Sequence, residues 1–157
     1  MSFTPSAGEE LQSEYFVALS DAPGALRAIN ELHEQISPLV LVTEVRSVAA
    51  DDFVMSPCRG RESAAIHFTW RQHLEPGEAM LPSGLTPEVK AVLRRIEEVL
   101  EPFDPRPHPG KLFTMERARL EQAYPGHSQF REAVGRYDPQ GKFSNGFLEE
   151  YFLGADR

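Results

Sequence analysis

The chain is 157 residues long, the size of one ordinary domain, and its 41% hydrophobic and 25% charged residues exclude a disordered polymer. Sixteen Lys and Arg against twenty-four Asp and Glu give a net charge of −8; such a surface repels nucleic acid and anionic lipid, so neither is expected as a partner. No apolar run reaches bilayer-spanning length, the start MSFTPSAGEE lacks the basic and apolar parts of a secretory signal, and Cys58 has no second cysteine to pair with, so a cytoplasmic protein without a disulfide is expected. No Cys/His spacing resembles a metal site.

In chain order, residues 1–12 are small and polar and are expected to fray. SEYFVALS reads as a strand. APGALRAINELHEQIS reads as a helix, with Leu26, Ile29, Leu32, His33 and Ile36 near helical spacing and Ser20 or Asp21 as cap. PLVLVTEVRSV is rich in β-formers and reads as a second strand; AADDFVMSPCRGRES is a loop; AAIHFTWRQH is a third strand that would pair with the second as an antiparallel hairpin. LEPGEAMLPSG is another loop. TPEVKAVLRRIEEVLEPF predicts a helix capped by Thr86, with Pro87 in the first helical position and a stripe of Val89, Val92, Leu93, Ile96, Val99 and Leu100. The prolines of DPRPHPGKLF exclude a helix there. Two short helices, TMERARLEQAY and HSQFREAVGRYD, precede the turn-rich aromatic end PQGKFSNGFLEEYFLG.

The order β-α-β-β-α with a helical, loop-rich C-terminal tail predicts an α+β fold: a small antiparallel, ferredoxin-like sheet with helices packed on one face. Strands do not alternate regularly with helices and neither GxGxxG nor GxxxxGK[ST] occurs, which argues against a doubly wound nucleotide fold. One sheet face is then left without helices of its own.

Taking the second and third strands as central, alternation puts Val42, Glu44, Arg46 and Val48 on one side of the second. On the third, Ile66, Phe68 and Trp70 form the core side, with His67 and Thr69 behind them. If the polar sides coincide, Glu44, Arg46, His67 and Thr69 make a patch on rigid strands, with cross-strand neighbours about 5 Å apart. The same alternation also describes a solvated face carrying a surface ion pair. RPHPGK brings His108 and Lys111 on a stiffened loop, which a plain surface connector would also explain. DPQGKFSNGFL joins a turn formula to Lys142, Asn145 and aromatics, and reads equally as a tail docked by Phe143, Phe147 and Phe152. His33, His73 and His127 read as surface or packing residues, and Cys58, although beside Arg59 and Arg61, has no base partner for catalysis.

Together, LQSEYFV, TEVRSVAADDFVMSP, IHFTW, RPHPGK and DPQGKFSNGFL, in this order, resemble the C-terminal part of FAD-dependent alditol and xylitol oxidases, which are similar to the aldonolactone oxidases of the vanillyl-alcohol-oxidase superfamily. The resemblance runs from about residue 11 to 153 and implies a substrate, or cap, domain over residues 13–157, with the FAD-binding domain absent. It implies that Glu44, Arg46, Thr69 and Lys111 bind a polyol of the xylitol or sorbitol class. His67 would act as base, with Arg46 and Lys111 stabilising an alkoxide, while His108 and Asn145 lie on the cofactor side. The reaction implied is oxidation of a terminal hydroxyl with hydride transfer to flavin and oxygen reduced to hydrogen peroxide. FAD belongs to the complete enzyme; the isolated chain is expected to hold none and to be inactive unless an FAD-binding domain is supplied. The family more often has Trp where Pro109 stands, and the segment around LEPGEAMLPSG is more extended than expected. The competing expectations are a stand-alone, non-catalytic binding module that self-associates as a homo-oligomer, and an unrelated ferredoxin-like regulator, in which Glu44, Arg46, His67 and Lys111 would not converge.

Overall fold

A computed structural model describes residues 10–71 and 86–154. Four strands form one antiparallel sheet in the order β2-β3-β1-β4: β1 (Glu10–Ala18), β2 (Val40–Val48), β3 (Ser63–Arg71) and the two-residue β4 (Arg106–Pro107). Helices α1 (Ala22–Asn30), α2 (His33–Ile36), α3 (Pro87–Leu100), α4 (Arg117–Ala123), α5 (His127–Tyr137) and α6 (Gly146–Leu148) complete the α+β fold. The segment around LEPGEAMLPSG, and His73, lie outside the described residues. No helix among the described residues is long and apolar enough to cross a membrane, and none of their His, Cys, Asp and Glu clusters could hold a metal ion.

The period-2 pattern builds the core. Register sets Tyr15 opposite Ile66, Ser13 opposite Phe68 and Val17 opposite Ala64, all buried on the helix side. Trp70, also fully buried, donates its indole N–H to Ser13 Oγ at 2.9 Å, so the largest core residue leaves no orphaned donor. Against this layer α3 turns Val89, Val92, Leu93, Ile96 and Leu100 inward. Its start matches the sequence expectation: Thr86 Oγ1 accepts from the Val89 N–H and Pro87 follows. Tyr15 donates its hydroxyl to Glu97 Oε1 at 2.8 Å, and Glu97 also accepts from the Thr114 N–H and hydroxyl, at 2.7 and 2.6 Å. Those bonds tie strand, helix and the 111–115 segment together.

Several boundaries differ from the sequence reading. β1 begins at Glu10, because Glu10, Leu11 and Gln12 pair with Arg71, Trp70 and Thr69 rather than fraying. The helix expected over residues 22–37 is broken after Asn30; the His33 imidazole Nδ1 lies 3.0 Å from the Asn30 carbonyl oxygen, the acceptor a continuous helix would offer to residue 34. β2 is an edge strand, not a central one. The helices cover β1 and β3 but stop short of β2, whose residues from Leu41 to Val48 are exposed on both sides. A bulge between Val40 and Val42 interrupts its pairing with β3. DPRPHPGKLF contributes the missing fourth strand. Pro107 has no N–H to donate, which an edge position tolerates.

Candidate functional site

The register answers whether the polar sides coincide. Val42 faces Thr69, Glu44 faces His67 and Arg46 faces Ala65 across β2 and β3; Gln12 faces Thr69 and Glu14 faces His67 across β3 and β1. One row on the helix-free face therefore reads Glu44, His67, Glu14. Outside β1, the loop after β4 is fastened by the His108 N–H to the Glu14 carbonyl at 2.8 Å and the Leu112 N–H to the Gln12 carbonyl at 2.9 Å. Those bonds, with Pro107 and Pro109 stiffening the chain, carry Lys111 over the row.

The side chains form a connected network. Glu14 Oε1 accepts from Arg46 Nη2 at 2.9 Å, and Oε2 accepts from Lys111 Nζ at 2.8 Å. Lys111 Nζ is also 3.0 Å from His67 Nδ1, and His67 Nε2 is 3.2 Å from Thr69 Oγ1. Glu44 joins at 3.7 Å from Arg46 Nη2. Glu14 and His67 are buried, each only 5% exposed, whereas the Arg46 and Glu44 side chains are about half exposed, at 52% and 55%. The network thus has a buried centre and an open rim. Burial pushes the His67 imidazole below its ordinary range, and the Lys111 ammonium adds to that, with Glu14 opposing. His108 is shifted the same way, by burial first and Lys111 second. Both rings are therefore neutral and able to accept a proton at neutral pH.

Arg46, His67 and Lys111 meet at Glu14, Thr69 joins through His67, Glu44 stands at the margin and His108 lies on the loop that delivers Lys111. Asn145 is not part of this network: its Oδ1 accepts the Leu148 N–H at 2.9 Å and caps α6. The tail docks through Phe152 and Leu153, not through Phe143, which is 81% exposed; Phe147 lies between, its ring 6.0 Å from Phe113. The turn formula DPQGK forms as expected, with the Asp138 carboxylate accepting the Lys142 and Phe143 N–H groups and Gly141 at φ +66°. Cys58 is buried, and burial pushes its thiol up, so the neighbouring arginines do not make it reactive.

Glu14 and Gln12 are the residues the sequence reading missed. Their signal was the alternation in LQSEYFV, with Gln12, Glu14 and Phe16 on one side, but Phe16 beside Tyr15 disguises which side is core. Two clefts of about 540 Å³ border Lys111, one lined by Phe113, Phe147, Tyr151 and Arg94, the other by Gln12, Pro109 and Leu112; His67, Glu14 and Arg46 line neither.

Residues 9–151 match the family model described as D-arabinono-1,4-lactone oxidase. The chain is 43% identical over 152 residues to an alditol oxidase of Streptomyces sp. (strain IKD472 / FERM P-14339), covering 97% of this chain and 34% of that protein. It is 30% identical over 110 residues to an L-gulonolactone oxidase of Scyliorhinus torazame, covering 70% of this chain and 23% of that protein. It is 28% identical over 137 residues to an L-gulono-1,4-lactone dehydrogenase of Mycobacterium tuberculosis (strain ATCC 25618 / H37Rv), covering 87% and 29%. The chain thus spans about a third, or less, of the length of these relatives. With a family model matched across nearly all of its residues, the chain belongs to the D-arabinono-1,4-lactone oxidase family, which embraces sugar-alcohol and aldonolactone oxidoreductases among its relatives.

Proposed function

We propose that the chain is the substrate-binding part of an FAD-dependent sugar-alcohol oxidase, with residues 13–157 as its cap domain, and that it is inactive until an FAD-binding domain covers its open face. The observation that carries this reading is the convergence of Arg46, His67, Thr69 and Lys111 on one helix-free sheet face. A polyol is a chain of groups that each donate and accept, and sheltering it from water requires a matching array, because an unsatisfied buried polar group costs about 1–3 kcal/mol. The half-exposed Arg46 and Glu44 offer donors and an acceptor at the rim, and Thr69 and Lys111 offer further donors nearer the buried centre.

In this reading Glu44, Arg46, Thr69 and Lys111 bind the substrate hydroxyls. His67, neutral and buried, takes the proton of the reacting hydroxyl, and Arg46 and Lys111 stabilise the negative charge left on oxygen. A flavin, when bound, supplies the hydride acceptor. This chain suits such a group only as a wall. His108, whose Nδ1 accepts the Gly110 N–H at 3.0 Å, and Phe16, with its ring 6.3 Å away, form an aromatic rim fit for the edge of an isoalloxazine. Asn145 caps α6 through Oδ1, so only its Nδ2 donors are left for the cofactor side assigned to it in this reading.

The test is reconstitution. The chain mixed or co-expressed with an FAD-binding domain from a related alditol oxidase should release hydrogen peroxide from xylitol or sorbitol, and neither part should do so alone. His67→Ala in the reconstituted protein should lower kcat by about 100-fold or more. A flavin-binding, folded complex that leaves every polyol and aldonolactone untouched would overturn the reading.

A further inference from the structure

Both cations of the face end on Glu14, yet Glu14 binds no part of the substrate in the reading above. Its side chain is 7% exposed and engages Arg46 with one carboxylate oxygen and Lys111 with the other. Lys111 reaches a second partner, His67 Nδ1, at 3.0 Å. An ammonium donates and cannot accept, so Nδ1 must be the lone-pair nitrogen. The neutral ring then carries its proton on Nε2, which is directed at Thr69 Oγ1, 3.2 Å away. The charged and titratable groups facing this imidazole are Glu14 from β1, Glu44 and Arg46 from β2, and Lys111 from the loop after β4; His108 stands beside Lys111 on the same loop.

We infer that Glu14 is a positioning residue: by anchoring Arg46 and Lys111 through separate oxygens, it holds a Lys111 N–H on His67 Nδ1 and so selects the tautomer and the proton path of the site. The arrangement itself stands on the contacts of this chain; its consequence for catalysis rests on the function proposed above. A substrate hydroxyl does not meet His67 Nδ1 directly, because Lys111 stands on that nitrogen. Lys111 gives one of its protons to Nδ1, and the lone pair this frees on Nζ takes the hydroxyl proton. The hydroxyl O–H bond breaks, an Nδ1–H bond forms, Lys111 remains an ammonium, and the alkoxide is left beside Lys111 and Arg46. The imidazolium created in that step is 3.9 Å from Glu14 Oε1, which offsets its charge.

The experiment is long-range 1H–15N NMR of the 15N-labelled chain, with His67 assigned by loss of its signals in His67→Gln. Near pH 7.5 the wild type should show Nδ1 as the unprotonated nitrogen and Nε2 as N–H. Glu14→Ala should release Lys111 and give a mixture of tautomers. Lys111→Met should move the His67 titration to higher pH, since a neighbouring positive charge has gone. An Nδ1–H tautomer in the wild type, an unchanged single tautomer in Glu14→Ala, or an unmoved titration in Lys111→Met would each overturn the inference. If Glu14→Ala fails to fold, the isosteric Glu14→Gln, which leaves a single acceptor oxygen, gives the same readout. Failure of the reconstituted protein to oxidise polyols, with these spectra as expected, would tell against the proposed function and leave the role of Glu14 standing.

Discussion

β1 and β2 are both nine-residue strands, and both offer a carboxylate to His67, Glu14 from one side and Glu44 from the other. They end in opposite environments. β1 lies between β3 and β4, beneath the helices, with residues 13–17 buried. β2 stands at the edge, beyond the helix layer, with Val42 and Val45 each 50% exposed. Glu14 is consequently locked between two cations, whereas Glu44 keeps a loose 3.7 Å contact with Arg46. Position in the sheet, not residue type, decides which acid is locked in ion pairs and which stays open to solvent.

That contrast can be broken by substitution. The largest effect is expected from the core sides of the two strands. Tyr15→Ala removes a fully buried ring and its bond to Glu97 and should cost about 3–5 kcal/mol, whereas Val45→Ala on β2 should cost less than about 1 kcal/mol. Urea unfolding measures both, and equal costs would mean that β2 is covered in solution. The acids come next. Glu14→Ala strands two cations and should cost about 2 kcal/mol, while Glu44→Ala should stay within about 0.5 kcal/mol.

A smaller effect concerns pH. Burial lowers the folded-state pKa of His67 and His108, both beside β1, and of His127 under the tail, from a usual value of 6.5. The unfolded chain therefore binds more protons than the folded one once pH drops toward 6.5. Stability is fully present above that value and is lost as pH falls through it toward the folded-state values. Thermal unfolding should show Tm declining from pH 7.5 to 5, and His67→Gln should flatten part of that decline. A Tm that rises on acidification would reverse the assignment. Smallest of all, Asn145→Ala removes an exposed cap far from the sheet comparison and should cost about 0.5–1 kcal/mol.

The features legible in the sequence were those written locally. Period-2 alternation in IHFTW and the Thr86-Pro87 start of α3 are decided by neighbouring residues, and both appear where expected. The polar alternation of TEVRS and HFT was equally plain, although only pairing could show that the two faces coincide. What the sequence hides is set by partners distant along the chain. Glu14 meets Lys111 across 97 positions and Arg46 across 32, so no window around LQSEYFV shows that its acid is buried. β2 looks as central as β3 by β-propensity, because composition does not record which strand the helices overlie. Asn145 was read as part of a functional motif, but its role as a helix cap depends on α6 starting one residue later. The break after Asn30 falls where the His33 imidazole lies 3.0 Å from the Asn30 carbonyl oxygen, a contact that the otherwise continuous apolar stripe does not reveal.

Among the described residues the outer side of β2 has no neighbouring strand, so from Val42 to Val48 it presents a regular row of main-chain donors and acceptors. Such a row templates fibril growth unless something spoils it, and here the spoilers are the kink near Leu41 and the opposite charges of Glu44 and Arg46. Glu44→Val together with Arg46→Val would leave an almost unbroken aliphatic ribbon from Val40 to Val48. Purified in isolation, that variant should bind thioflavin and precipitate where the parent stays clear, because the half-exposed charges of Glu44 and Arg46 guard the chain against its own copies.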